Sequence, residues 1–181
     1  RQDWARAAEA LDLVNLMTYD LCGPWAGVSG HASSARQAET AAQYMCAAGV
    51  PPEKLCIGTP LYGTAMRLTA RAEDARAALG APVEPEKPTW ASLPQAKLWA
   101  LAQSPGWHSA YDVDAGAAYL VYDGEDSAYA RWFVSLETPR SLEEKLAFAK
   151  RERLAGVIVW EASLDTPDHA FAAQLRDTFL K

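Results

Sequence analysis

The sequence predicts an α/β fold in which buried parallel strands alternate with helices, interrupted by a small α+β insert. Nearly continuous apolar runs recur at 11–19, 54–62 and 156–161. They are short for helices and suit strands buried on both faces. Segments with helical spacing and capping signals stand beside these runs, as βαβ units require. From 65 to 130 the pattern changes to prolines and alternating aromatics.

Taken in order, Trp4, Ala7, Ala8 and Leu11 recur at helical spacing, so residues 1–10 read as the end of a helix. The run from Leu11 to Tyr19 follows and stops at Asp20, before a loop rich in Gly, Pro and Ser that reaches His31. Ser33 or Ser34 is placed to cap a helix running to about Ala48, which Gly49 and Pro51-Pro52 terminate. Lys54 to Tyr62 reads as a second buried strand closed by Gly63. Pro82, Pro85, Pro88, Pro94 and Pro105 then divide the chain into short pieces. Trp90, Trp99, Trp107 and the alternation from Ala118 to Tyr122 suggest a small antiparallel α+β unit. Ser141-Leu-Glu-Glu reads as a capping box opening a helix to about Arg153, with Glu143, Glu144 and Lys145 as a first turn that matches the macrodipole. Gly156 to Glu161 is a third buried strand, and 167–180 an amphipathic helix with Phe171, Leu175 and Phe179 inward. The expected divisions are therefore 1–64, 65–130 and 131–181.

Composition narrows the function classes. Net charge is -6, and the 17 basic residues are scattered rather than gathered into the basic face that nucleic acid needs. No run approaches the roughly 18 apolar residues of a membrane span, and no signal peptide is visible. Cys22, Cys46 and Cys56 form no CxxC and read as half-buried thiols, with at most one disulfide between them. His31 and His108 fall in apparent loops and read as solvated, and His169 as a surface residue. No phosphate cradle, GxSxG elbow or HExxH pair is present. An acidic chain with seven Trp and seven Tyr suits a neutral or sugar-like partner.

Ligands of βα folds bind at the carboxyl ends of the strands. Those ends are Tyr19-Asp20, Tyr62-Gly63 and Trp160-Glu161, each an aromatic beside a polar residue or Gly. Aromatic faces stack on the C–H faces of pyranoses, while phenols and carboxylates take their hydroxyls.

Asn15-Leu-Met-Thr-Tyr-Asp20 resembles the sixth-strand signature of family 18 glycoside hydrolases, the chitinase family. Gly23-Pro-Trp25, Gly30-His31, Gly49 to Lys54, and Gly58-Thr-Pro-Leu-Tyr-Gly63 follow in that family's order. Phe133-Val-Ser, Ser141 to Lys145, and Leu154 to Glu161 with Asp165 resemble the approach to the last strand and the strand itself. The resemblance implies the last three strand–helix units of a (β/α)8 TIM barrel, with 65–130 as the inserted domain. It implies substrate-assisted, retaining cleavage of β-1,4-linked N-acetylglucosamine polymers, in which the sugar's acetamido oxygen attacks while a glutamic acid protonates the leaving oxygen. Tyr19 would then bond the acetamido group, and Asp20 would lie near the acid. Met17 would pack beneath the sugar and Trp160 would form the floor, with Trp25, Tyr62 and Glu161 as further substrate-binding residues.

Chitin or chitooligosaccharide is the implied partner, with no cofactor or metal, and the implied location is extracellular. The family's Asp-x-x-Asp-x-Asp-x-Glu motif is absent, since Asp123…Asp126 leads to Ala128 and Asp165…Asp168 to Ala170. The general acid and the missing N-terminal half of the barrel are therefore expected outside this chain. Thr64 stands where the family often has Arg. A non-catalytic chitin-binding protein is the alternative.

Overall fold

The computed structural model describes residues 2–85, 90–126 and 128–179, so Pro88 lies outside the described residues. Two sheets organise the chain. Strands β1 (Val14–Leu16), β2 (Leu55–Pro60) and β8 (Gly156–Trp160) form a parallel sheet with β2 in the middle. Strands β3 (Tyr62–Arg67), β4 (Trp90–Pro94), β5 (Trp107–Asp112), β6 (Ala117–Tyr122) and β7 (Trp132–Leu136) form an antiparallel sheet in the order β4-β3-β7-β6-β5.

Helices α1 (Trp4–Ala10), α2 (Ala35–Ala47), α5 (Pro139–Arg151) and α6 (Ala170–Phe179) accompany the parallel sheet. Ser34 caps α2 and exchanges reciprocal bonds with Gln37, the two halves of a capping box. Leu55 and Ile57 of β2 pack with Ala38, Ala42, Met45 and Phe148 in the main core. All six residues of β2 are buried, as a central parallel strand requires. The outer strands differ from the expected doubly buried runs. Strand β1 spans three residues, and Leu11, Leu13 and Met17 around it are 43%, 53% and 71% exposed. Strand β8 is half-buried, and Trp160 at its end is exposed. Each outer strand pairs along one edge alone among the described residues.

The second expected strand divides at Leu61. Leu61 turns into a core with Leu142, Leu146 and Phe171, and its amide donates to the Trp160 carbonyl at 2.9 Å. Tyr62 then opens β3 of the other sheet, whose strands reach from Tyr62 to Leu136 and so extend past residues 65 and 130. Strand β6 is buried along its whole length. Its period of two sends Ala118, Leu120 and Tyr122 to a core with Leu98 and Leu101 of α4 (Gln95–Ala102). Tyr119 and Val121 point the other way, toward Ala78 of the short helix α3 (Ala75–Ala78). Both faces of the antiparallel sheet are thus covered.

Two helix readings are corrected. Helix α5 starts at Pro139, capped by Thr138, and Ser141 is the reciprocal partner in the box rather than its cap. Lys145 is therefore a turn further in than expected, and it is fully buried. In α6, Phe171 is buried and Leu175 partly so, but Phe179 is 38% exposed. Each four-residue step rotates a helix position by about 40°, so the third apolar residue has drifted off the buried face.

Candidate active site

Asp20 follows β1, Tyr62 follows β2 with Leu61 between, and Trp160 closes β8. The carboxyl ends of the three parallel strands thus converge. Asp20, Trp25, Tyr62, Thr64, Trp160, Glu161 and Leu164 line one cleft of about 340 Å³ there.

Buried Tyr62 and exposed Asp20 are joined directly. The Tyr62 hydroxyl donates to Asp20 Oδ1 at 2.7 Å. Burial first, and the bond to the carboxylate second, push the Tyr62 phenol far above its ordinary range. It remains a proton donor at any physiological pH, and it occupies one Asp20 oxygen. Asp20 itself has φ 56°, a left-handed conformation that a non-glycine residue holds only where its surroundings enforce it.

Tyr19 sits behind this pair, 9% exposed, with its phenol also pushed up by burial and then by the Asp20 charge. Its ring lies on the backbone of β2. A Cβ placed on Gly58 would meet Tyr19 Cε1 at 2.7 Å, so only glycine admits the ring there. The Thr18 hydroxyl clips the same residue, donating to the Gly58 carbonyl and accepting from its amide, each at 2.8 Å.

The outer walls are aromatic. Trp25 stands on the one-turn helix Pro24–Ala26, with its ring folded over Gly23, where a Cβ would collide with it. Trp25 and Trp160 are 61% and 55% exposed. Large rings held open to water on a cleft wall are available to a ligand rather than committed to a core. Glu161 extends the wall from the residue after Trp160, and Ser163 donates to its Oε1 at 2.6 Å.

The structure thus brings Asp20, Trp25, Tyr62, Trp160 and Glu161 together and sets Tyr19 behind them, but it does not bring Met17. Leu16 and Thr18 turn inward, so Met17 between them points out. It lines a separate groove with Leu21, Thr40 and Tyr44. Leu164 was missed by sequence reasoning, although its spacing from Glu161 is that of one helical turn.

Other readings also change. His31 is buried, with Nε2 3.0 Å from Asp112 Oδ2, which ties the loop bearing Trp25 to β5. Burial raises the Asp112 pKa, but hydrogen bonds from His31 and from backbone amides outweigh it, and the carboxyl is held below its ordinary value. His108 lies on β5, exposed beside Asp123 at 2.9 Å. The three cysteines are free thiols, each pushed up chiefly by burial. Among the described residues no three His, Cys, Asp or Glu side chains come together as a metal-holding set. Nor is any described helix long and apolar enough to cross a membrane.

Residues 1–165 match the model of glycosyl hydrolases family 18. A class V chitinase of Medicago truncatula is 30% identical over 173 residues, which span 92% of this chain and 43% of that protein. An oviduct-specific glycoprotein of Ovis aries is 28% identical over 178 residues, 86% of this chain and 29% of its own length. The chain therefore spans less than half the length of these relatives. Among solved structures, the Group IV chitinase of Ostrinia furnacalis superposes with a TM-score of 0.84 at 23% identity, covering 99% of this chain and 53% of that one. A class V chitinase mutant of Cycas revoluta in complex with (GlcNAc)3 superposes with a TM-score of 0.78 at 28% identity, covering 95% and 48%. The chain belongs to glycosyl hydrolase family 18.

Proposed function

We propose that this chain forms the last three strand–helix units of a (β/α)8 barrel, and the sugar-facing wall of a domain that cleaves β-1,4-linked N-acetylglucosamine polymers. The observation that carries this reading is the single cleft at three parallel strand ends, where exposed Trp25 and Trp160 flank the Tyr62–Asp20 pair. Exposed indoles offer stacking faces to pyranose rings. The Tyr19 and Tyr62 phenols, both held protonated, are donors suited to an acetamido oxygen and to a carboxylate. Substrate-assisted retention needs a proton donor for the leaving oxygen as well. No Asp-x-x-Asp-x-Asp-x-Glu motif occurs in this sequence, so the donor comes from outside the chain. The second reading is a non-catalytic chitin-binding domain, in which the acid outside this chain has been lost. The residue at the end of the barrel's fourth strand separates the two, Glu for an enzyme and Gln or Leu for a binding protein. Action on an extracellular polymer places the protein outside the cell.

The test uses a fluorogenic chitobioside. The chain alone should show no turnover. In the full-length protein, Tyr19→Phe should lower kcat by ~10- to 1000-fold with little change in KM, the range for a single transition-state donor. Trp160→Ala should impair both parameters, because it deletes a stacking surface. Unchanged kcat in Tyr19→Phe would sink the assignment of Tyr19, and turnover by the chain alone that Asp20→Ala abolishes would overturn the external acid.

A further inference from the structure

Behind the cleft lies a charged pair that nothing above uses. Lys145 of α5 and Glu137, just after β7, are both buried, at 0% and 1% exposure. They form an ion pair, Lys145 Nζ to Glu137 Oε2. Removing two charges from water costs several kcal/mol per ion, and apolar replacements of such pairs are often as stable or more so. Stability alone is therefore a weak reason for this pair.

Its hydrogen bonds point elsewhere. Lys145 Nζ donates to Ser33 Oγ at 2.7 Å, and Ser33 Oγ donates to the Thr18 carbonyl at 2.6 Å. That carbonyl belongs to the peptide entering Tyr19, one residue before the left-handed Asp20. Glu137 Oε2 also accepts from Thr59 of β2, and Oε1 from Ser141. Thr59 stands three residues before Tyr62 and next to Gly58, which carries the Tyr19 ring. Gln95 Nε2 holds the Glu137 carbonyl at 3.2 Å. One buried pair thus grips the backbone before Tyr19-Asp20 and the strand before Tyr62, from α5 and the end of the antiparallel sheet.

We infer that Glu137 and Lys145 are positioning residues for the cleft, setting the distance between Asp20 and Tyr62 through Ser33, Thr18 and Thr59. Charges with fully used hydrogen-bonding groups hold several backbones directionally, whereas apolar packing at the same place is non-directional. The inference rests on the proposed use of the cleft, but the geometry it concerns can be read without substrate.

The experiment compares the full-length wild-type protein with Glu137→Met/Lys145→Met, Lys145→Arg and Ser33→Ala. Lys145→Met alone strands a buried carboxylate and is expected to unfold, so the double variant, which removes both charges, is the informative one. It should melt at or above the wild-type temperature yet lose ~10- to 100-fold in kcat with KM within about twofold, the scale of an ångström-sized displacement. The Tyr62 hydroxyl proton, assigned by its loss in Tyr62→Phe, should lose its hydrogen-bonded NMR signature in the double variant. Lys145→Arg should recover part of kcat. Ser33→Ala keeps the ion pair and cuts its link to Thr18. It should lose about tenfold in kcat, and it carries the inference if the double variant fails to fold. A stable double variant with wild-type kcat and an unshifted Tyr62 hydroxyl proton would overturn the inference. If wild-type protein turns over no chitobioside, the proposed function has failed, and the hydroxyl proton still decides the positioning role.

Discussion

The two sheets bury their residues very differently. The antiparallel sheet has α4 on one face and α3 on the other, and Leu120, Phe133 and Val134 are at most 1% exposed. In the parallel sheet the central strand is equally buried, but both flanking strands are half open, with Leu13 and Met17 on the β1 side in water. Yet nearly every residue of the cleft stands at the ends of the parallel strands or on the loops that follow them. The chain thus joins a sheet with its own helices on both faces to one whose outer strands are half open, and the cleft stands on the second. Parallel strands expect helices on both faces and neighbours on both edges.

The largest expected effect is in hydrogen exchange of the chain by itself. Amides of β6 should exchange on the order of 10³-fold more slowly than those of β1, because opening free energies range from near zero at frayed edges to the global value in core strands. Equal protection in the two strands would break the comparison.

Core truncation sharpens it. Phe133→Ala in the antiparallel sheet should cost ~3–5 kcal/mol, whereas Val159→Ala on half-buried β8 should cost about 1 kcal/mol. Urea denaturation of the two variants reads both, and similar costs would show that the parallel sheet is as well covered as its neighbour.

The smallest effect concerns the tie between the regions. Asp112 has a carboxyl pKa below its ordinary value of 3.8 in the folded chain, so its bond to His31 contributes stability above that value. The contribution is lost as pH falls through the depressed native pKa. The melting temperature of Asp112→Asn should therefore lie below wild type near pH 6 and converge with it as pH falls through the depressed native value. A difference that persists at low pH would show that the carboxylate's charge is not what His31 responds to.

Much of the site was legible in the sequence because strand ends punctuate it. Asp20, Tyr62, Trp160 and Glu161 each close an apolar run, and Trp25 follows a Gly-Pro loop. Met17 was misplaced because a three-residue strand leaves its orientation to the pleat, and the side chain turned away from the cleft. Lys145 reads as a first-turn residue because Ser141-Leu-Glu-Glu has the pattern of a capping box. Its partner Glu137 is eight residues away, and the links to Ser33 and Thr59 lie 112 and 78 residues off. No local pattern announces such a partner.

What the sequence by itself determined was the alternation of elements, a serine cap at 33 or 34, the buried central strand and the aromatic strand ends. All of these follow from local propensity and hydrophobic period, which act within a few residues. Tertiary structure alone decided that the second apolar run divides at Leu61 between two sheets, that His31 docks on Asp112, and that Glu137 and Lys145 meet under the cleft. Leu61 turns away where Leu142, Leu146 and Phe171 supply a core, and residues from three other segments, with Ser141 of α5 itself, complete the hydrogen bonds of the buried pair.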